Sequence, residues 1–137
     1  MTRHPDWPTL LAAHLDSVTL LPFAWVHNDC CTFAAGAVRA ITGNDAMAVL
    51  RGKYTSQAGA TRLIAKAGSL QALVSQYLGA PLDAPALAQR GDVVMFEMTD
   101  PCGPQALGIC VGAQIAAPGP HGMVLLPSNA AVAAWRV

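Results

Sequence analysis

Charge is what this sequence has least of. Asp, Glu, Lys and Arg make up 12% of its 137 residues and cancel to a formal net charge of zero, against roughly 25% charged residues in ordinary soluble domains. With no cluster of Lys or Arg there is no electrostatic footprint for nucleic acid or an anionic membrane surface. No apolar run approaches the roughly 20 residues that cross a bilayer, so membrane insertion is not expected. The opening Met-Thr-Arg-His-Pro-Asp-Trp has no charged region leading into a signal core, which predicts synthesis in the cytoplasm.

Cys30, Cys31, Cys102 and Cys110 contain no Cys-x-x-Cys pair. Adjacent Cys30 and Cys31 point about 100° apart on a helix and do not seed a tetrahedral metal site. Irregular spacing in a cytoplasmic chain predicts reduced thiols. The sequence also lacks a phosphate-binding glycine loop and a pair of acid–base carboxylates, so no metal and no cofactor is expected.

What is present is apolar material: 53% of the chain, ample for one core and one domain over 1–137. So little charge leaves either an Ala-rich surface on an ordinary soluble protein or a surface partly buried against partner subunits.

Pro5 and the helical spacing of Trp7, Leu10, Leu11, His14 and Leu15 predict an opening helix. Leu20 to Trp25 is extended, because the residue before Pro22 is pushed away from helical angles. Asn28 and Asp29 are both good N-caps, followed by Cys30, Phe33, Ala34, Ala37, Val38 and Ile41 on one helical face that Gly43 can end. Further helices are predicted from about Ser56 to Lys66, ending at Gly68, and from Ser69 to Leu78, ending at Gly79. A short helical turn is expected within Leu82 to Gln89. From Arg90 onward, β-type runs alternate with Gly and Pro: Val93 to Met98, Leu107 to Val111, Gln114 to Ala117, Met123 to Leu126 and Val132 to Val137. Helices first and strands last predict an α+β fold with an antiparallel sheet.

Three blocks carry a resemblance: Phe23-Ala24-Trp25-Val26-His27-Asn28-Asp29-Cys30, then Arg90-Gly91-Asp92-Val93-Val94-Met95-Phe96, then Leu107-Gly108-Ile109-Cys110-Val111-Gly112. Their order resembles the signature of NlpC-type cell-wall peptidases, in which an aromatic-Gly-Gly segment leads to Asp-Cys. In that signature a Gly-Asp pair opens the first core strand and a Gly-Ile-x-x-Gly strand follows. The resemblance implies a papain-like NlpC-type domain, with N-terminal helices packed on the sheet and Cys30 as the nucleophile that attacks a peptidoglycan peptide bond. The chain looks still closer to short NlpC-like phage and prophage proteins that end in a strand like Ala134-Trp135-Arg136-Val137. That likeness implies tail hub or other tail-tip proteins as partners, with peptidoglycan as a further candidate, and a bacterial cytoplasmic origin with a final place in a virion tail.

A first-turn position suits a reactive thiol, since unpaired amides at a helix N-terminus stabilise a thiolate; the alternative is that Cys30 is a small buried apolar residue. Ala106, preceded by Gln105, stands where the family keeps its histidine, and neither accepts a proton near pH 7. Val26-His27 replaces Gly-Gly, and Cys31-Thr32 replaces Ser-Gly. His27, three residues before Cys30, and His121, in a turn leading to a strand expected near the Gly-Ile strand, are the candidate substitute bases. Gly91-Asp92 reads as a turn into the first strand, and Trp25 and Trp135 as packing anchors.

Two functions are consistent with these residues. One is a structural part of a phage or phage-like tail tip or baseplate with a degraded catalytic site, a pseudoenzyme. The other is an active cysteine peptidase or amidase cleaving peptidoglycan peptides during infection. A cytoplasmic immunity or regulatory protein reusing the fold is a third.

Overall fold

Three of the four α-helices among the described residues begin at a side-chain cap and end at a glycine. A computed structural model of the protein describes residues 2–98 and 104–137, so Cys102 lies outside the described residues. Helix α1 spans Trp7–Val18, with proline in its first turn. Helix α2 spans Cys30–Thr42, α3 Gln57–Ala67 and α4 Leu70–Leu78. The side chains of Asp29, Ser56 and Ser69 cap the N-termini of α2, α3 and α4 by accepting from Thr32, Gly59 and Ala72 amides, and Gly43, Gly68 and Gly79 end the same helices. Single 3₁₀ turns occur at Pro85–Leu87 and Ser128–Ala130.

The strands are β1 (Val93–Glu97), β2 (Gln105–Cys110), β3 (Gln114–Gly119), β4 (Gly122–Pro127) and β5 (Ala131–Trp135). They form one antiparallel sheet in the order β4-β3-β2-β1-β5. The α+β architecture, with N-terminal helices on a C-terminal antiparallel sheet, is as expected from the sequence. Strand β3 runs past the expected end at Ala117 and through Pro118. Its pairing with β2 stops at Ala116, so the amide that proline lacks has no ladder bond to make.

Side-chain alternation divides the sheet into two faces. Val93, Leu107 and the residues paired with them face α2 and α4, lining a crevice with Ala34, Val38, Leu73 and Val74. Trp135, fully buried and paired with Val93, donates its indole N–H to Ser75 Oγ of α4 at 3.1 Å. Phe96, Ala106, Gly108 and Ile115 lie on the opposite face. There the sheet is bent so closely that a Cβ on Gly108 would sit 2.6 Å from the Ala116 carbonyl oxygen. Glycine is required at that position by this close approach.

Helix α1 packs on α2 through a half-buried histidine, His14. A Cβ on Gly36 would lie 3.0 Å from the His14 ring, and His14 Nε2 is buried without a hydrogen-bond partner. Burial lowers the His14 pKa below its ordinary 6.5. Between that lowered value and 6.5 the unfolded chain binds more protons than the folded one, so stability falls as pH drops through this window and is fully present above it. Unfolding in urea at pH 7 and pH 5 is expected to show lower stability at pH 5, with the difference reduced in His14→Gln. An unchanged pH dependence in that variant would contradict this reading.

Candidate functional site

The segment before α2 is a tight loop. Ala24 and Asn28 exchange both backbone hydrogen bonds, at 3.3 and 2.8 Å, leaving Trp25, Val26 and His27 as the turn. Asn28 is buried and its amide nitrogen donates to the Leu21 and Pro22 carbonyls, which ties the loop to the extended segment before it. Val26 has φ 75°, the sole non-glycine residue with positive φ among those described. For a β-branched side chain this conformation costs on the order of 1–3 kcal/mol. Glycine would adopt this conformation without that cost, and here valine bears the strain.

Asp29 holds that strain in place. Its Oδ2 accepts from the Val26 amide (2.9 Å) and from the Tyr54 hydroxyl (2.6 Å), and its Oδ1 accepts from the Thr32 amide (2.9 Å). The Thr32 hydroxyl returns the capping by accepting from the Asp29 amide at 2.9 Å. With its side chain saturated and 1% exposed, Asp29 is committed to building the loop and helix start. Tyr54, buried against it, has its phenol pKa raised by burial first and then by the hydrogen bond and negative charge of Asp29. It stays protonated at neutral pH and supplies no base.

Cys30, the first residue of α2, is buried in the wall of a cavity of about 170 Å³. Trp25, Cys31, Met47 and Tyr54 adjoin it on one side, and Leu63, Ile64, Leu70 and Leu73 from α3 and α4 cover it on the other. Gln57, Thr61 and Ser69 are exposed and form the mouth. Trp25 stacks edge-on against Phe23, with centroids 5.0 Å apart. Among the described residues, Cys30, Cys31 and Cys110 form no disulfide with one another.

The β2 residue that lines the cavity differs from the one that the NlpC resemblance aligns with a histidine. Gln105, on the same sheet face as Leu107, lines the cavity. Ala106 points to the other face, where it pairs with Phe96 and is 1% exposed. Strand β2 begins two residues earlier than the apolar run indicates, and this places Gln105 in register for the site. An amide side chain therefore lines the same cavity as Cys30.

Neither candidate base lines the cavity. His27 is exposed at the tip of the 24–28 loop. His121 is exposed in the β3–β4 turn, and β3 stands between β4 and the Gly-Ile strand β2, so the expected adjacency does not occur. Sequence reasoning missed Tyr54, which sits in a Lys-Tyr-Thr-Ser loop segment with no periodic pattern to mark it. Gly91-Asp92 forms the expected turn into β1, the Asp92 amide donating to the Gln89 carbonyl at 2.9 Å, and the Asp92 side chain is fully buried beside Arg3 and Arg136.

A family model described as a domain of unknown function, DUF6950, matches residues 2–137. The chain belongs to this family. The architecture and cavity described above are thus those of a DUF6950 domain. No curated protein matches the chain. Among solved structures it is similar to RipD from Mycobacterium tuberculosis, described as a non-catalytic NlpC/p60 domain protein with an adaptation to peptidoglycan-binding function. The identity is 21%, the TM-score 0.49, and the alignment covers 98% of this chain and 99% of that one.

Proposed function

We propose that this DUF6950 domain is an NlpC-like structural component of a phage or phage-like tail tip or baseplate, with a degraded catalytic site. The observation that carries the non-catalytic part is the wall around Cys30. Among the described residues lining it there is no histidine, and its carboxylate and phenol, Asp29 and Tyr54, are engaged with each other. Activation of a nucleophilic thiol is most often the task of a histidine, and Gln105, which lines the same cavity, does not accept a proton near pH 7. The tail assignment is supported by the resemblance of the closing Ala134-Trp135-Arg136-Val137 strand to short phage proteins. It is also supported by a surface poor in charge that exposes Leu20, Leu21, Val49 and Leu125, as suits a subunit seated among others. In this reading the chain is made in the bacterial cytoplasm and incorporated into the virion tail.

The reading is tested in particles. Deleting the chain is expected to block tail assembly, while Cys30→Ala particles assemble and infect at wild-type yield. Loss of infectivity in assembled Cys30→Ala particles would favour the second reading, an active cysteine peptidase or amidase acting on peptidoglycan peptides. One observation speaks for that alternative: Cys30 occupies the first turn of a capped helix and borders a cavity.

A further inference from the structure

The connection between α2 and α3 is closed on itself. The Arg51 guanidinium grips the Asp45 carboxylate at 2.6 and 3.1 Å. The Leu50 and Arg51 amides both donate to the Met47 carbonyl, and the Lys53 amide donates to the Leu50 carbonyl. Met47 is the one buried residue of 44–53. At the end of the segment the Tyr54 hydroxyl reaches across to Asp29 at 2.6 Å. Gly43 before it and Gly52 near its end both hold φ 79°, with no described atom within 4 Å of where a Cβ would stand, so packing locks neither.

The anchor itself is loosely enclosed. Three separate spaces, of about 170, 110 and 50 Å³, border Met47. The largest is the cavity beside Cys30, the next lies toward Val26 and Thr32, and the smallest runs between α2 and α4. Cys31 borders the first and the last of them. A loop that bonds to itself, holds on through one buried side chain and has voids around that side chain is a unit that opens at lower free energy than the packed core.

We propose that residues 44–54 form a strap that lifts from α2 as one unit while the sheet and helices stay folded, joining the three spaces into a single groove with Cys31 on its floor. Opening withdraws Met47, the partition between the spaces, and breaks the Tyr54–Asp29 hydrogen bond. The proposal goes beyond the function proposed above and holds whether Cys30 is inert or catalytic, so the two stand or fall separately.

The test is amide hydrogen exchange of the full chain, followed by NMR. The Leu50, Arg51 and Lys53 amides are expected to share one level of protection and to exchange at least about a hundredfold faster than the Cys110 amide of β2. Tyr54→Phe should speed all three together by about tenfold or more, as expected for loss of a hydrogen bond to a charged group. It should speed alkylation of Cys31, located by fragmentation mass spectrometry, by a matching factor. Asp92→Ala, remote from the strap, should speed exchange at Cys110 and leave the three strap amides unchanged. Should that variant not fold, low concentrations of urea make the same distinction in the wild type, since only openings that expose much surface respond to denaturant. Strap amides that follow Cys110 under either perturbation would show that the segment opens only with the whole chain and would overturn the proposal. So would strap amides, or alkylation of Cys31, left unmoved by Tyr54→Phe.

Discussion

Asp92→Ala is expected to lower the free energy of unfolding by about 3–5 kcal/mol, the usual cost of removing one partner from a buried charge network. Asp92 is fully buried. Its Oδ1 accepts from Arg3 Nη2 (2.9 Å) and from the Val137 amide (3.0 Å). Its Oδ2 accepts from the Gln89 amide (2.8 Å) and lies 3.5 Å from Arg136 Nη1. Arg3 also donates to the Val137 carbonyl at 2.6 Å and the Arg90 carbonyl at 2.9 Å, and its guanidinium carbon lies 4.2 Å from the centroid of the Trp7 ring. One carboxylate therefore joins the segment before α1, the turn into β1 and the residues after β5. Removing it strands the part-buried Arg3 and the buried Val137 amide together. Asp92→Asn keeps the size but turns an amide N–H toward a guanidinium or a backbone N–H, and is expected to cost about half as much. Urea unfolding with an unchanged m-value checks both. A loss below about 1 kcal/mol for the alanine variant would mean that the ends are held by packing alone.

Asp29→Ala should be of similar size, about 3–5 kcal/mol. It removes an N-cap, usually worth about 0.5–2 kcal/mol, and leaves the Val26 amide and the buried Tyr54 hydroxyl without their acceptor, at roughly 1–3 kcal/mol for each buried group. Tyr54→Phe removes only the 2.6 Å hydrogen bond to the carboxylate and is expected to cost about 1.5–3 kcal/mol, the range for a bond to a charged group. A double-mutant cycle between the two positions should return a coupling of about 1.5–3 kcal/mol. Additive losses would show that Tyr54 contributes by packing and that the hydrogen bond adds nothing. The Asp29→Ala variant should also release Val26 from positive φ, seen as altered backbone shifts across 24–28, since the acceptor that holds its amide is gone.

The helices were legible because their signals are local. Asp29 with Gly43, Ser56 with Gly68 and Ser69 with Gly79 are cap pairs whose chemistry works within a single turn, and the helix limits follow them to within a residue or so. The strands were legible as apolar runs, but their ends and neighbours depend on partners remote in sequence. Gln105 is polar and precedes the apolar run that starts at Leu107, so the alternation that turns it to the cavity is not visible from that run. The order β4-β3-β2-β1-β5 separates His121 from β2, and nothing near His121 in the sequence encodes that. Tyr54 and the positive φ of Val26 arise from a hydrogen-bond centre whose members are up to 25 residues apart. The site thus depends on long-range pairing where the helices depend on short-range capping.

In the proposed reading Cys30 marks the fold without performing catalysis. Incubating purified peptidoglycan with the wild-type chain and with Cys30→Ala, and measuring newly exposed amino groups, decides the matter. No release above the buffer control is expected for either protein. Release by the wild type that Cys30→Ala abolishes would show that the thiol is catalytic.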